Sequence, residues 1–198
     1  MGRESDWGAF YEATEDGEPR ESFLAGLDAV PADLPKEAID VGFGAGNETR
    51  ALLRRGWAVT AIDAEPAAAE ILRERVGDHP DLRIVTASFA AATYPTASFV
   101  YAGYSLPFGD PGSFDAVWAQ ITDALRPGGV FCGQLFGDRD EWADRADMTV
   151  HTRSAVDALL EELAVVELEE VEGRMGTATG EEKYWHYYDV IARKPSAD

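Results

Sequence analysis

Two acids at the tips of short apolar runs hold the clearest chemical potential of this chain. Asp40 lies in Ala38-Ile39-Asp40-Val41, and the turn Gly42-Phe43-Gly44-Ala45-Gly46-Asn47 follows it with glycine at every second position. Glycine lets a backbone turn sharply and lets a ligand approach without meeting a Cβ. A helix that starts there leaves N–H groups free beside whatever binds. Asp63 ends the run Trp57-Ala58-Val59-Thr60-Ala61-Ile62, about twenty residues after the glycines, the distance at which an acid meets ribose hydroxyls in nucleotide-binding α/β sheets. Asp63 also precedes Ala64-Glu65-Pro66, so capping a helix is its alternative use. A dinucleotide fingerprint wants G-x-G-x-x-G. Here Asn47 stands where the third glycine would be, which argues against a nicotinamide-dependent reductase.

The elements that must position these acids alternate. Apolar runs predict strands at 37–42, 57–63, 82–86, 99–102 and 129–135, and helices at 47–55, 65–76 and 111–125 lie between or beside them. Trp7, Phe10 and Tyr11 share a helical stripe in residues 4–29, which read as one or two helices broken at Gly17-Glu18-Pro19. After a loop at 136–150, a helix at 154–163 with Ser154 as its N-cap leads to two strands, 164–172 and 184–193, joined as a hairpin. The pattern predicts a mostly parallel sheet with an antiparallel strand near one edge. The whole chain, 1–198, reads as a single domain, with 1–35 a helical cap on a core of 36–198.

A third motif, Leu125-Arg126-Pro127-Gly128-Gly129-Val130-Phe131, breaks a helix and opens the fifth strand. With the glycine turn and the second acid-tipped strand, it makes the chain resemble the class I S-adenosylmethionine (SAM) dependent methyltransferases over roughly residues 38–194. Tyr104-Ser105-Leu106-Pro107-Phe108, Gln134-Leu135-Phe136-Gly137-Asp138 and the Trp185-His186 strand resemble compact bacterial members of the tellurite-resistance type. The resemblance implies a Rossmann-like, doubly wound sheet of seven strands and SAM as cofactor, with S-adenosylhomocysteine (SAH) as product. It implies that Asp40, Gly42, Gly44 and Gly46 face the amino-acid end of SAM, that Asp63 and Ala64 face the ribose, and that Ser88 and Phe89 face the adenine. Ser88 stands where the family commonly has an acid. Gly103 adjoins the methyl, and Arg20 either reaches the SAM carboxylate from the cap or is a solvated helix start.

The acceptor side is read from aromatic residues. Tyr104, Phe108, Phe136 and Trp142, with Tyr11 from the cap, either line a pocket or pack a core. Aromatic faces attract a sulfonium, by about 1–2 kcal/mol. The Tyr104-Ser105-Leu106-Pro107-Phe108 segment lacks the Asn-Pro of amine methyltransferases, which disfavours a planar amine such as adenine or cytosine. His151, His186 and Tyr104 are candidate bases, each with a structural alternative, and a base is required only for a protonated acceptor. No His, Cys and acid spacing suggests a metal.

Composition narrows the partners. The formal charge is −20, from 37 acids and 17 bases. A body this acidic repels polyphosphate, so a small-molecule substrate is expected, and not nucleic acid. Neither a membrane-spanning run nor an apolar leader is present in the sequence, and the one cysteine, Cys132, reads as a buried apolar residue. A cytoplasmic monomer or weak homodimer is the expectation. The function expected is methyl transfer from SAM to an oxygen, sulfur, nitrogen or halide-type nucleophile. The alternatives are a SAM-binding protein of the same fold with other chemistry, or a non-catalytic binding module.

Overall fold

A computed structural model of the chain describes residues 7–15 and 17–196. Residues 1–6 and 16 of the predicted cap lie outside them. Eight strands form one sheet: β1 (Glu37–Val41), β2 (Ala58–Asp63), β3 (Leu82–Thr86), β4 (Ala97–Ala102), β5 (Leu125–Gly137), β6 (Val150–His151), β7 (Ala164–Gly176) and β8 (Glu182–Arg193). Their order is β3-β2-β1-β4-β5-β8-β7, and β6 pairs with β5 off this path. β1 to β5 run parallel, while β8 runs antiparallel to both β5 and β7. The predicted doubly wound sheet is therefore present, with the short β6 added to the seven strands expected.

The helices are α1 (Trp7–Thr14), α2 (Glu21–Asp28), α3 (Asn47–Arg54), α4 (Pro66–Val76), α5 (Phe114–Ala124) and α6 (Arg153–Leu159). Strand alternation sends side chains to two separate cores. Ile39, Val41 and Val100 pack with Val117 and Ile121 of α5 and Val156 of α6. Ala38, Phe99 and Tyr101 pack with Phe23 of α2, Leu52 of α3 and Leu72 of α4. By the same period of two, Asp40 points toward α3, and Thr49 on that helix donates to its Oδ2 at 2.6 Å. α2 lies close on β5, because Gly26 leaves room for the Cys132 side chain, into which a Cβ there would run.

Several boundaries differ from expectation. β5 begins at Leu125, four residues early, because Leu125 pairs with Ala97 before the chain reaches the Pro-Gly-Gly break. The hairpin strands extend to Gly176 and Glu182, which shortens the expected loop. The N-cap of α6 is Thr152, whose hydroxyl accepts from the Ala155 N–H at 3.2 Å, and Ser154 lies inside the helix. No described helix is long and apolar enough to cross a membrane.

Cys132 is 1% exposed, and burial raises the pKa of its thiol. A thiol held protonated and covered does not attack. Ellman's reagent is expected to leave Cys132 unmodified in the native protein and to titrate it after denaturation. Rapid reaction of the folded chain would contradict this burial.

Candidate functional site

The parallel strands deliver their carboxyl ends to one large cavity, with a volume of about 1550 Å³. It sits where chain order reverses between β1 and β4, the switch point at which open α/β sheets bind ligands. The glycine turn forms its floor. Gly42, Gly44 and Gly46 all have positive φ, at 74°, 52° and 80°. At Gly42 a side chain is doubly excluded: the backbone is left-handed, and a Cβ would collide with Ser105, whose hydroxyl donates to the Val41 carbonyl.

Asp63 reaches this turn from β2. Its Oδ2 accepts from the Gly44 N–H and its Oδ1 from the Glu65 N–H, each at 3.0 Å. The capping alternative is thus realised in part, and each oxygen keeps a further lone pair. Burial raises the Asp63 pKa, and the two backbone bonds oppose that rise. Asp63, Ala64, Ser88 and Phe89 line one end of the cavity.

A small recess adjoins the glycine turn and is walled by Asp40, Glu48, Arg20, Tyr101 and Gly103, among others. Arg20, at the start of α2, donates to Glu48 Oε1 at 2.7 Å. Asp40 is 2% exposed. Burial, reinforced by the Glu48 charge, pushes its pKa up to about 7. The buried Tyr101 hydroxyl has no hydrogen-bond acceptor. Two carboxylates, one guanidinium and an unused hydroxyl donor are what an α-ammonium and a carboxylate on one carbon require. All ten residues expected at the cofactor therefore lie on the cavity or its recess.

The other end of the cavity is aromatic. Tyr104, Phe108, Phe136 and Trp142, expected around the acceptor, line it with Trp185 and Tyr187; Tyr11, expected with them, stands instead beside Phe10 over Gly44 and near Asp63, because α1 lies across the glycine turn. Tyr104 has φ of 53° without being glycine, and its N–H donates to the Gln134 side chain at 3.0 Å. Such a conformation costs energy and clusters at working sites. Burial, then a hydrogen bond to Tyr187, raises the Tyr104 pKa.

The two histidines lie elsewhere. His151 packs on Phe114, with ring centroids 4.6 Å apart, and burial lowers its pKa. His186 is fully buried; its Nδ1 accepts from the Arg139 N–H and its Nε2 meets Glu170 Oε1, both at 3.0 Å. Neither is part of the cavity wall. Strand pairing does bring His186, Glu170 and Glu172 ligand atoms within 4.8 Å of one another, which sequence spacing did not reveal. The Arg139 guanidinium bonds both carboxylates at 2.7 Å, so these residues form an ion-pair cluster around a cation the chain already supplies.

Residues 38–129 match the family model described as "Methyltransferase domain". A trans-aconitate 2-methyltransferase of Paracidovorax citrulli is 31% identical over 71% of this chain and 54% of its own length. An rRNA adenine N-6-methyltransferase of Saccharopolyspora erythraea is 36% identical over 39% of this chain and 19% of its own. The chain thus spans about half or less of these curated relatives. The crystal structure of the N-methyltransferase NodS from Bradyrhizobium japonicum WM9, in complex with SAH, superposes with a TM-score of 0.68 at 17% identity, covering 95% of this chain and all of that one. Residues 38–129 thus match a methyltransferase domain, and the fold is shared with SAM-dependent methyltransferases. The family cofactor, SAM, suits the donor set described: a carboxylate for the sugar at Asp63, and acids, a guanidinium and an unpartnered hydroxyl for the amino-acid group.

The recess should make cofactor binding depend on pH. With its pKa near 7, Asp40 is protonated below neutrality, and an ammonium bound against it would have to displace that proton. Affinity for SAH is expected to fall as pH drops below about 7, by up to about tenfold per unit, and to level off above it. Calorimetry in buffers of different ionisation enthalpy should detect proton release near neutrality, absent in Asp40→Asn. A flat profile between pH 5 and 8 would contradict this role for Asp40.

Proposed function

We propose that this chain transfers the methyl group of SAM to a small-molecule acceptor. The observation that carries the reading is one cavity with cofactor-binding chemistry at one end and an aromatic, largely uncharged basin at the other. When bound, SAM supplies a methyl already activated on a sulfonium; the acceptor's lone pair forms the new bond, and the carbon–sulfur electrons stay with sulfur as SAH.

The chain's own residues then have mostly positioning to do, and alignment alone can supply much of the rate. Asp63 holds the sugar, the glycine turn admits the cofactor backbone, and Asp40, Glu48, Arg20 and Tyr101 grip its amino-acid end. Ser88 and Phe89 bracket the adenine. Tyr104, Phe108, Phe136 and Trp142 exclude water and seat the acceptor. The Tyr104 hydroxyl is engaged with Tyr187, so Tyr104 offers the acceptor its ring and not its proton. An acceptor proton leaves to bulk water through the open mouth of the cavity.

Against a nucleic-acid acceptor stand the net charge of −20 and the acids on the cavity rim. We place the protein in the cytoplasm as a monomer or weak homodimer; a single buried cysteine suits a reducing compartment. The test is incubation with methyl-labelled SAM and a metabolite extract. Label in a low-molecular-weight product is expected. Label in RNA alone, methylthioadenosine without a methylated product, or no SAH binding at millimolar ligand would overturn the reading.

A further inference from the structure

The cavity is larger than its cofactor requires. Small-molecule sites commonly span roughly 300–1,000 Å³, and this one reaches about 1550 Å³. Its second half lies over β4, β5 and β8, away from Asp63 and Ser88. Six rings there form one connected surface. Tyr104 meets Tyr187 at 5.3 Å and Trp185 at 5.8 Å between centroids; Phe136 meets Trp185 at 5.7 Å and Phe108 at 6.0 Å; Trp142 meets Phe108 at 6.1 Å and Trp185 at 6.0 Å.

These rings are fixed from behind. The Lys183 ammonium sits 3.6 Å from the Trp142 ring centroid and 4.1 Å from that of Trp185, and bonds Asp140 at 2.5 Å. It is 2% exposed and is not on the cavity wall, although both tryptophans are. The Trp185 indole N–H is further tied to the Met175 carbonyl at 3.2 Å. A wall held this way meets a ligand with little rearrangement.

Charge completes the description. Asp63, Glu65, Asp110, Asp147 and Glu181 line the cavity. Among the described residues, the cations on its wall are Arg20, which bonds Glu48 and serves the cofactor end, and Arg145, which pairs with Asp147 and lies 5.8 Å over the Trp142 ring. Lys183 is sealed behind the rings with Asp140. Recognition of a polycarboxylate calls for guanidinium or ammonium groups free to pair with it.

Extending the methyl-transfer reading, on which this rests, we infer that the acceptor is a flat, fused-ring aromatic or heteroaromatic molecule without negative charge, laid against the surface that Tyr104, Trp142 and Trp185 form. Such a molecule exchanges water for aromatic faces and edges at several centroids at once. Polycarboxylates of the trans-aconitate type are rejected by the acidic rim.

The experiment titrates SAH-saturated protein with 2-naphthol, quinoline and trans-aconitate by calorimetry, with SAH binding measured alongside. Sub-millimolar binding of at least one fused-ring probe is expected, with no binding of trans-aconitate at about 10 mM. Trp142→Ala and Trp185→Ala are expected to weaken the probe at least about tenfold and to leave the Kd for SAH within about twofold. Trp142→Phe and Trp185→Phe, which keep the packing, should recover most of that affinity. Tighter binding of trans-aconitate than of both fused-ring probes, or probe affinity unmoved in the alanine variants, would overturn the inference while normal SAH binding left the methyl-transfer reading standing. Failure of SAH itself to bind would overturn both.

Discussion

Replacing Asp63 with alanine is expected to weaken SAH binding by at least about 1–3 kcal/mol, roughly five- to 150-fold in Kd. The carboxylate is 9% exposed and faces the cavity, so a sugar hydroxyl bonded to it has little water to compete with. It has a second duty, because it accepts the Gly44 and Glu65 N–H groups and so ties the glycine turn to the start of α4. Loss of affinity in Asp63→Ala therefore has two physical sources. A cycle with a 2′-deoxy analogue of SAH separates them. If the carboxylate holds the ribose, removing the hydroxyl costs wild type much and costs the variant little, and the two changes are non-additive. If Asp63 only braces the loop, the penalties add. An unchanged Kd for SAH in Asp63→Ala would remove the ribose contact altogether.

The cofactor half of the site was legible because its signals are local. Asp40, the three glycines and Asp63 stand at strand ends, and strand ends in a parallel sheet converge whatever the rest of the chain does. Glu48 was missed although it is adjacent to that turn. It reads as an ordinary acid in the first turn of a helix, and its role comes from Arg20, twenty-eight residues away, laid over it by α2. Tyr101 was missed because alternation in a strand buried on both faces does not say which buried hydroxyl lacks an acceptor. The acceptor half is built from long-range pairings. Trp185 and Tyr187 alternate onto one side of β8, but only the antiparallel register against β5 sets them beside Phe136 and Tyr104. The same pairing carried His186 away from the cavity and into the cluster with Glu170. Asp140 falls in the loop expected at 136–150, and nothing in the Asp138-Arg139-Asp140-Glu141 run distinguishes the one acid that is buried.

That acid supports the second large prediction. Asp140→Asn is expected to destabilise the protein by about 3–5 kcal/mol, the cost of leaving one member of a buried ion pair without its partner. The side chains of Asp140 and Lys183 are 0% and 3% exposed. Asp140 also accepts from the Trp142 N–H at Oδ1 and from the His186 N–H at Oδ2, both at 3.0 Å, so asparagine keeps one of these bonds and turns its NH2 on the other donor. The loss in Asp140→Asn therefore has an electrostatic part and a part from one unmade backbone bond, and Asp140→Asn with Lys183→Met, which removes both charges, should regain the electrostatic part. The pH dependence has a definite sign. Burial lowers the Lys183 pKa, and Asp140 opposes that shift; without the carboxylate the pKa falls further. The folded variant then binds fewer protons than the unfolded chain between that lowered value and the ordinary lysine range, so its stability rises with pH there. Urea denaturation followed by tryptophan fluorescence should show the deficit of Asp140→Asn shrinking from pH 7 toward pH 10. A single variant within about 1 kcal/mol of wild type, or a double variant no better than the single, would mean that the ammonium draws its stability from the tryptophan faces alone.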